Sequence, residues 1–159
     1  MRRNLIPPPV WALIAGSAMW CLHHWLPLGR LLVHPWNQLG WFIGAVGVAI
    51  IIASMLAFRR AETTVNPLEP TKATKLVMTG TFGFSRNPMY LGLLLVLTGW
   101  AVGLGSISPF IVLPVFVVLI TVLQIIPEER ALAGLFGREY EEYMRAVPRW
   151  FGLRGRRAP

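Results

Sequence analysis

The chain contains no aspartate, and its seven acidic residues are all glutamate. Only 14% of its residues are charged, 55% are hydrophobic, and the mean hydropathy is +0.56. A water-soluble domain of this length needs more charge on its surface, so the balance points to lipid as the main solvent. One cysteine, Cys21, excludes an internal disulfide framework and leaves the redox compartment open. There is no HExxH, no CxxC pair, no phosphate-binding glycine loop and no GxSxG. Zinc, phosphate-loop and serine-nucleophile chemistries therefore lack their residues, and no metal site is expected.

Basic residues are present in excess, with a formal net charge of +8. They flank apolar runs instead of lining one face of a soluble module, which argues against nucleic acid as the partner. Four apolar segments are long enough to span a hydrocarbon core of about 30 Å, which needs roughly 17–25 helical residues. These are Pro9–Leu28, Leu39–Phe58, Pro88–Leu104 and Ile107–Ile126. Trp11, Trp25, Trp36, Trp41 and Trp100 fall near their ends, as interfacial anchors do. Arg2-Arg3 before the first run superficially resembles a signal peptide. No small-residue cleavage site closes that run, so a retained helix is expected.

Lysine and arginine counts in the connections set the orientation. Arg2 and Arg3 precede the first segment, and Arg59, Arg60, Lys72, Lys75 and Arg86 lie between the second and third. Seven arginines follow the fourth segment, from Arg130 to Arg157, whereas the other two connections hold only Arg30. Both termini and the middle loop are thus expected in the cytoplasm, with a bacterial inner membrane as the setting. The third connection, Gly103 to Pro109, is short and rich in turn formers. It predicts a tight antiparallel hairpin that brings Arg86 and Glu128 to the same level. The linker Thr63–Ser85, with Pro67, Pro70, Gly80 and Gly83, predicts loop with little regular structure. From Pro127 onward, Leu132, Leu135, Phe136, Tyr140, Tyr143 and Val147 recur at helical spacing, predicting an amphipathic helix broken or kinked at Gly137.

Two clusters carry possible chemistry. In Arg86-Asn87-Pro88, proline suits the first turn of a helix and asparagine its N-cap. Such a start, with an arginine beside it, is a receptor for a carboxylate. The same residues also fit a positive-inside arginine at a capped helix. Glu128 and Glu129 stand at the membrane edge, where carboxylates must be solvated, paired or bound to a cationic ligand. Either Glu129 faces water while Glu128 pairs with Arg86 or Arg130, or one of the two binds a ligand. His23, His24 and His34 are expected at the opposite face, as interfacial residues.

Together the clusters resemble the isoprenylcysteine carboxyl methyltransferase and phospholipid methyltransferase superfamily, small membrane enzymes that use S-adenosylmethionine. The resemblance covers roughly Thr79 to Trp150, through GTFGFSRNPMYLG, the apolar hairpin and PEERALAGLFGREYEEYMRAVPRW. The apolar segments and the periodic tail predict a single all-α membrane domain over residues 1–159, with about four transmembrane helices and a C-terminal amphipathic cytoplasmic helix, and the resemblance implies a cofactor-binding part over about 79–150. It implies methyl transfer to a lipophilic or lipid acceptor at the cytoplasmic face. Arg86, Glu128 and Arg149 are the catalytic candidates, and Arg145 is a second basic tail residue of the same kind. Arg86, Asn87, Pro88, Tyr90, Gly92, Glu128, Glu129 and Tyr140 are the cofactor-binding candidates, with Phe136 as another ring able to pack on adenine. Many members have histidine where this chain has Asn87, whose neutral amide does not relay protons. The acceptor atom, O, N or S, stays open. So does a rival reading, a small four-helix transporter or assembly protein in which Glu128 and Arg86 form a gate or ion pair. A reductase using NADPH is a further enzyme reading, disfavoured by the small number of helices.

Overall fold

A computed structural model describes residues 6–61 and 75–152. The expectations for Arg2, Arg3, Lys72, residues 63–74 and the tail arginines from Arg154 onward fall outside those residues. Among the described residues all regular structure is helical, apart from an isolated bridge between Arg30 and Ser106.

Helix α1, Pro8–Trp25, opens on prolines that lose no hydrogen bond in a first turn. It stops three residues short of the expected Leu28, because Leu26 precedes Pro27 and a residue before proline is driven out of the α region. Helix α2, Leu39–Arg60, follows a short 3₁₀ turn at Trp36–Gln38 and ends on Arg59 and Arg60, two cations facing the negative end of its dipole. Helix α3 covers Pro88–Leu104 as expected and closes on Gly105, at φ 73°. A side chain there would collide with the Leu32 carbonyl.

The last long element departs from expectation. A 3₁₀ turn at Ser108–Ile111 leads into α4, Val112–Ile120, then a π-helical turn at Thr121–Ile125, then α5, Ile126–Phe136, with no break at Pro127. Proline has no N–H to donate, and its ring crowds the carbonyl four residues earlier in a strict α-helix. The wider π turn, in which the Ile126 N–H reaches the Thr121 carbonyl, gives that ring room and lets the helix continue. The true break is Gly137, at φ 51° and ψ −123°, which separates α5 from α6, Arg138–Ala146. Helix α6 buries Tyr140 and Tyr143 and exposes Arg138, Glu141 and Glu142. The stripe extending back along α5 is less regular than its spacing implied, since Leu135 is exposed.

Trp36–Arg60 and Ser108–Phe136 are long and apolar enough to cross a bilayer, while Pro88–Leu104 is apolar but shorter. Trp25, Trp36, Trp41 and Trp100 are exposed, but Trp11 is half-buried with an enclosed indole nitrogen and packs against the core instead.

Glycine decides how α2 meets α3. The backbones of Gly40 and Gly99 face each other, and a Cβ on Gly47 would lie 2.6 Å from the Gly92 carbonyl. Such close approach is the usual substitute for hydrophobic driving force between helices in lipid. Helices α1 and α4 pack on the other side around Met19, Leu97, Phe116 and Ile120. Between α1 and α2 an apolar groove of about 1250 Å³ stays open, walled by Trp20, Trp41, Leu93 and Trp100.

Two ends of the bundle are thereby defined. At one, His23 Nδ1 lies 2.8 Å from Ser106 Oγ, Ser108 donates to the Leu22 carbonyl and Asn37 donates to the Gly103 carbonyl. The other end gathers Ile6, Ser54, Thr81, Arg86 and Glu129 through Gln124, Ser54–Thr81 and Arg86–Glu129 contacts. His24 stacks on Trp20 and His34 pairs with Gln38, so none of the histidines reaches the charged end.

Candidate active site

The approach to α3 is a short 3₁₀ turn, Gly80–Gly83, within a linker expected to be irregular. Gly80 starts it at φ 63°, a conformation that L side chains rarely adopt. The turn buries Phe82 against Phe58 and directs residues 85–87 under the C-terminal segment. That segment, residues 147–150, leaves α6 in extended conformation at Val147 and crosses the start of α3 as a strap. The Arg86 N–H donates to the Pro148 carbonyl at 3.0 Å, and the Asn87 amide donates to the Arg149 carbonyl at 3.0 Å. Ser85, fully buried, donates to the same carbonyl at 3.4 Å and accepts the Asn87 N–H at 3.1 Å. Trp150 closes the strap by donating to Thr121 Oγ at 3.2 Å.

Asn87 therefore holds the N-cap position without capping. Its side chain is turned to the strap and makes no capping hydrogen bond to the first N–H groups of α3. The positive end of the helix lies beside Arg86.

The two glutamates take opposite roles from those first expected of them. Glu129 does not face water but is buried, and it is the partner of Arg86, at 3.3 Å. Arg149 grips it from the other side, through Nη2 at 2.7 Å and Nε at 3.1 Å to both oxygens. Glu128 accepts a 2.9 Å hydrogen bond from the Tyr90 hydroxyl instead of pairing with Arg86, and Arg130 is exposed. Helical register explains the exchange. Gln124 and Ile125 are buried, so the positions four residues on, Glu128 and Glu129, both turn inward.

The Arg86 side chain is only 10% exposed, and its Nε and Nη1 are enclosed without a hydrogen-bond partner among the described residues. Tyr140 stands beside Arg86. Burial above all, and then the Glu129 carboxylate, pushes its phenol well above its ordinary value, with Arg86 opposing. Burial does the same to Tyr143, whose hydroxyl donates to the Phe82 carbonyl at 2.8 Å. The hydrogen bonds to Glu129 hold the Arg149 guanidinium above its ordinary value.

Arg86, Asn87, Pro88, Tyr90, Glu128, Glu129, Tyr140 and Arg149 thus meet at one end of the bundle. Gly92 is placed elsewhere: it lies against Gly47 and Ile51 of α2, as a helix-packing residue. Arg145 is exposed on α6. Sequence reasoning passed over Ser85, the hinge of the strap network, although it immediately precedes Arg86 in the motif, and it passed over Thr121 and Gln124 inside an apolar run. Among the described residues no group of histidine, cysteine and glutamate is arranged to hold a metal ion.

A protein of Haemophilus influenzae described as uncharacterized is 40% identical over 62 residues, which cover 39% of this chain and 98% of that protein. No solved structure matches the chain. The family model for phospholipid methyltransferases matches residues 36–139, a stretch that contains α2, α3, both inward-facing glutamates and most of the bundle. The chain belongs to the phospholipid methyltransferase family.

Proposed function

We propose that this protein is an S-adenosylmethionine-dependent methyltransferase acting on a lipophilic or lipid acceptor at the cytoplasmic face of a membrane. In this reading all four long helices span the bilayer, both termini lie in the cytoplasm with the charged end of the bundle, and α6 rests there as an amphipathic cap.

The observation that carries the reading is Arg86, a nearly buried guanidinium with two donor nitrogens left over, one turn before Tyr90, whose hydroxyl donates to Glu128. Unmatched donors enclosed in this way are costly unless a ligand completes them. The donor set fits S-adenosylmethionine. Arg86 and the uncapped start of α3 would hold its carboxylate, Glu128 its ammonium or ribose hydroxyls, and the Tyr140 ring would pack beside its base. When bound, that cofactor supplies an electrophilic methyl group on a sulfonium centre. The chain's part is to position and to exclude water. Glu129 fixes Arg86 and Arg149, the strap covers the start of α3, and Tyr90 orients Glu128. Positioning and desolvation of this kind supply most of the acceleration expected for an in-line displacement.

Calorimetry with S-adenosylhomocysteine tests the assignment. Wild type binds, and Arg86→Ala and Glu128→Gln each weaken binding at least about tenfold, the effect of about 1.4 kcal/mol in a charged hydrogen bond. Absence of binding by wild type, or equal binding by both variants, would remove the basis for a methyltransferase site here.

A further inference from the structure

Helices α1 and α2 both pack on α3 but not closely on each other. The groove left between them runs from Pro9 to Cys21 on α1, from Asn37 to Val48 on α2 and from Leu93 to Leu104 on α3. Each stretch is about 16–18 Å of helix, at roughly 1.5 Å per residue. One leaflet of a bilayer core is about 15 Å deep, half of about 30 Å. The groove thus has the depth of one leaflet, and it lies toward the end away from Arg86 and Glu129, since it stops at Val48, halfway along α2. A partner's transmembrane helix would need the full thickness, whereas lipid chains need only this half. Gly44 and Gly103 line the groove, and a Cβ at either would meet nothing within 4 Å, so helix packing does not call for glycine there. Trp20, Trp41 and Trp100, all exposed, stand around it toward the Asn37 end, where indoles sit just below lipid headgroups.

The mouth of the groove is cationic. The loop from α1 to α2 is tied across this end: Leu31 and Leu32 donate to the Gly105 carbonyl, and the Asn37 amide donates to the Gly103 carbonyl at 3.3 Å. Gln38, a lining residue, holds His34 at 3.0 Å. Arg30 is exposed and bridges Ser106, two residues beyond Leu104. No glutamate occurs between Met1 and Ala61 or between Pro70 and Pro127, so neither the loop nor the helices around the groove offer that arginine a carboxylate. An apolar groove of leaflet depth beneath an unneutralised cation is complementary to an anionic amphiphile. Resting on the reading that the long helices span the bilayer, but not on the chemistry at Arg86, we infer that this groove binds an anionic phospholipid of the leaflet away from the charged cluster. Its acyl chains lie between α1 and α2 and its phosphate lies at Arg30. The lipid supplies the wall that the two helices leave out, and in this position it is no methyl acceptor, because its headgroup is at the opposite end from Arg86.

Native mass spectrometry of the full chain in detergent tests this, with dioleoylphosphatidylglycerol as the probe and dioleoylglycerol as its phosphate-free counterpart. Wild type retains phosphatidylglycerol, and binds it about fivefold more tightly than dioleoylglycerol, the effect of one arginine near an anionic lipid. Arg30→Gln removes that difference, whereas Arg138→Gln, on α6 at the other end of the bundle, leaves it. Gly44→Leu fills the floor and lowers retention of both lipids at least about tenfold, since each displaced acyl methylene costs about fourfold. Cys21, the chain's one cysteine and a lining residue, gives a second readout in unmutated protein. Phosphatidylglycerol slows its reaction with N-ethylmaleimide, and does so more than dioleoylglycerol. Where Gly44→Leu fails to fold, this protection decides. Undiminished retention in a folded Gly44→Leu, equal selectivity in wild type and Arg30→Gln, or unprotected Cys21 would each overturn the inference. A dimer that Gly44→Leu dissolves would assign the groove to a second copy of the chain and overturn it as well. Topology reporters that put Arg30 on the same side as both termini would overturn the spanning reading itself, whereas indifference to lipid with that topology intact overturns only the groove site.

Discussion

Glu129 has two arginine partners and Glu128 has a phenol, and this division sets what each substitution should do. Tyr90→Phe deletes one hydrogen bond to a carboxylate and should lower affinity for S-adenosylhomocysteine about three- to tenfold while unfolding shifts little, a loss of about 1 kcal/mol in a half-enclosed site. Arg149→Ala should act differently. Its guanidinium is partly exposed, so the pair itself contributes modestly, but Glu129 is left with Arg86 alone and the strap loses its main side-chain anchor. Faster proteolysis of the C-terminal segment is expected in that variant, with protection regained on ligand addition. Tyr140 and Tyr143 supply a pH signature. Both phenols titrate higher folded than unfolded, so the neutral forms stabilise the fold. That stability is fully present below the ordinary tyrosine pKa of about 10 and is lost as pH rises beyond it. The thermal unfolding temperature should therefore fall steeply above about pH 10, and less steeply in Tyr140→Phe.

Among the elements, the α2–α3 contact is the one with no tolerance. A methyl group on Gly40 or Gly99 would overlap the facing backbone, so Gly40→Ala and Gly99→Ala should each cost about 1–3 kcal/mol by forcing the helices apart. Gly44 and Gly103 lie on the same two helices, yet a Cβ there meets nothing within 4 Å. Alanine at those sites should be neutral or stabilising by up to about 1 kcal/mol, as it is in helices generally. Unfolding of the four variants in detergent checks the contrast, and a uniform response would mean that the close approach is not where the geometry puts it. The π turn is the second element-scale device. It lets one helix carry an apolar stretch, a proline and two inward carboxylates without interruption.

For the whole molecule, the candidate site residues collect at one end because chain direction alternates. The end of α4, the start of α1, the end of α2 and the start of α3 share it. If the four long helices span the bilayer, reporters fused to either terminus, or inserted between α2 and α3, should all report the cytoplasmic side. A reporter between α1 and α2, near Arg30, should report the opposite one. A split between the two termini would overturn the four-span topology.

Composition alone pointed to lipid over water, because a sequence with so few charges cannot cover a soluble surface. The start of α3 at Pro88, the turn after Leu104 and the break at Gly137 were equally legible, since proline and glycine act on the backbone locally. The motif spacing likewise placed Arg86 and the glutamate pair at one end. What the linear pattern could not express was rotation about a helix axis. Whether Glu128 or Glu129 meets Arg86, whether Asn87 caps its helix or ties down a strap, and whether Gly92 faces a ligand or a neighbouring helix all depend on one extra residue in a π turn and on the contacts of distant segments. Those choices are made between elements, by packing, and only the tertiary structure decided them.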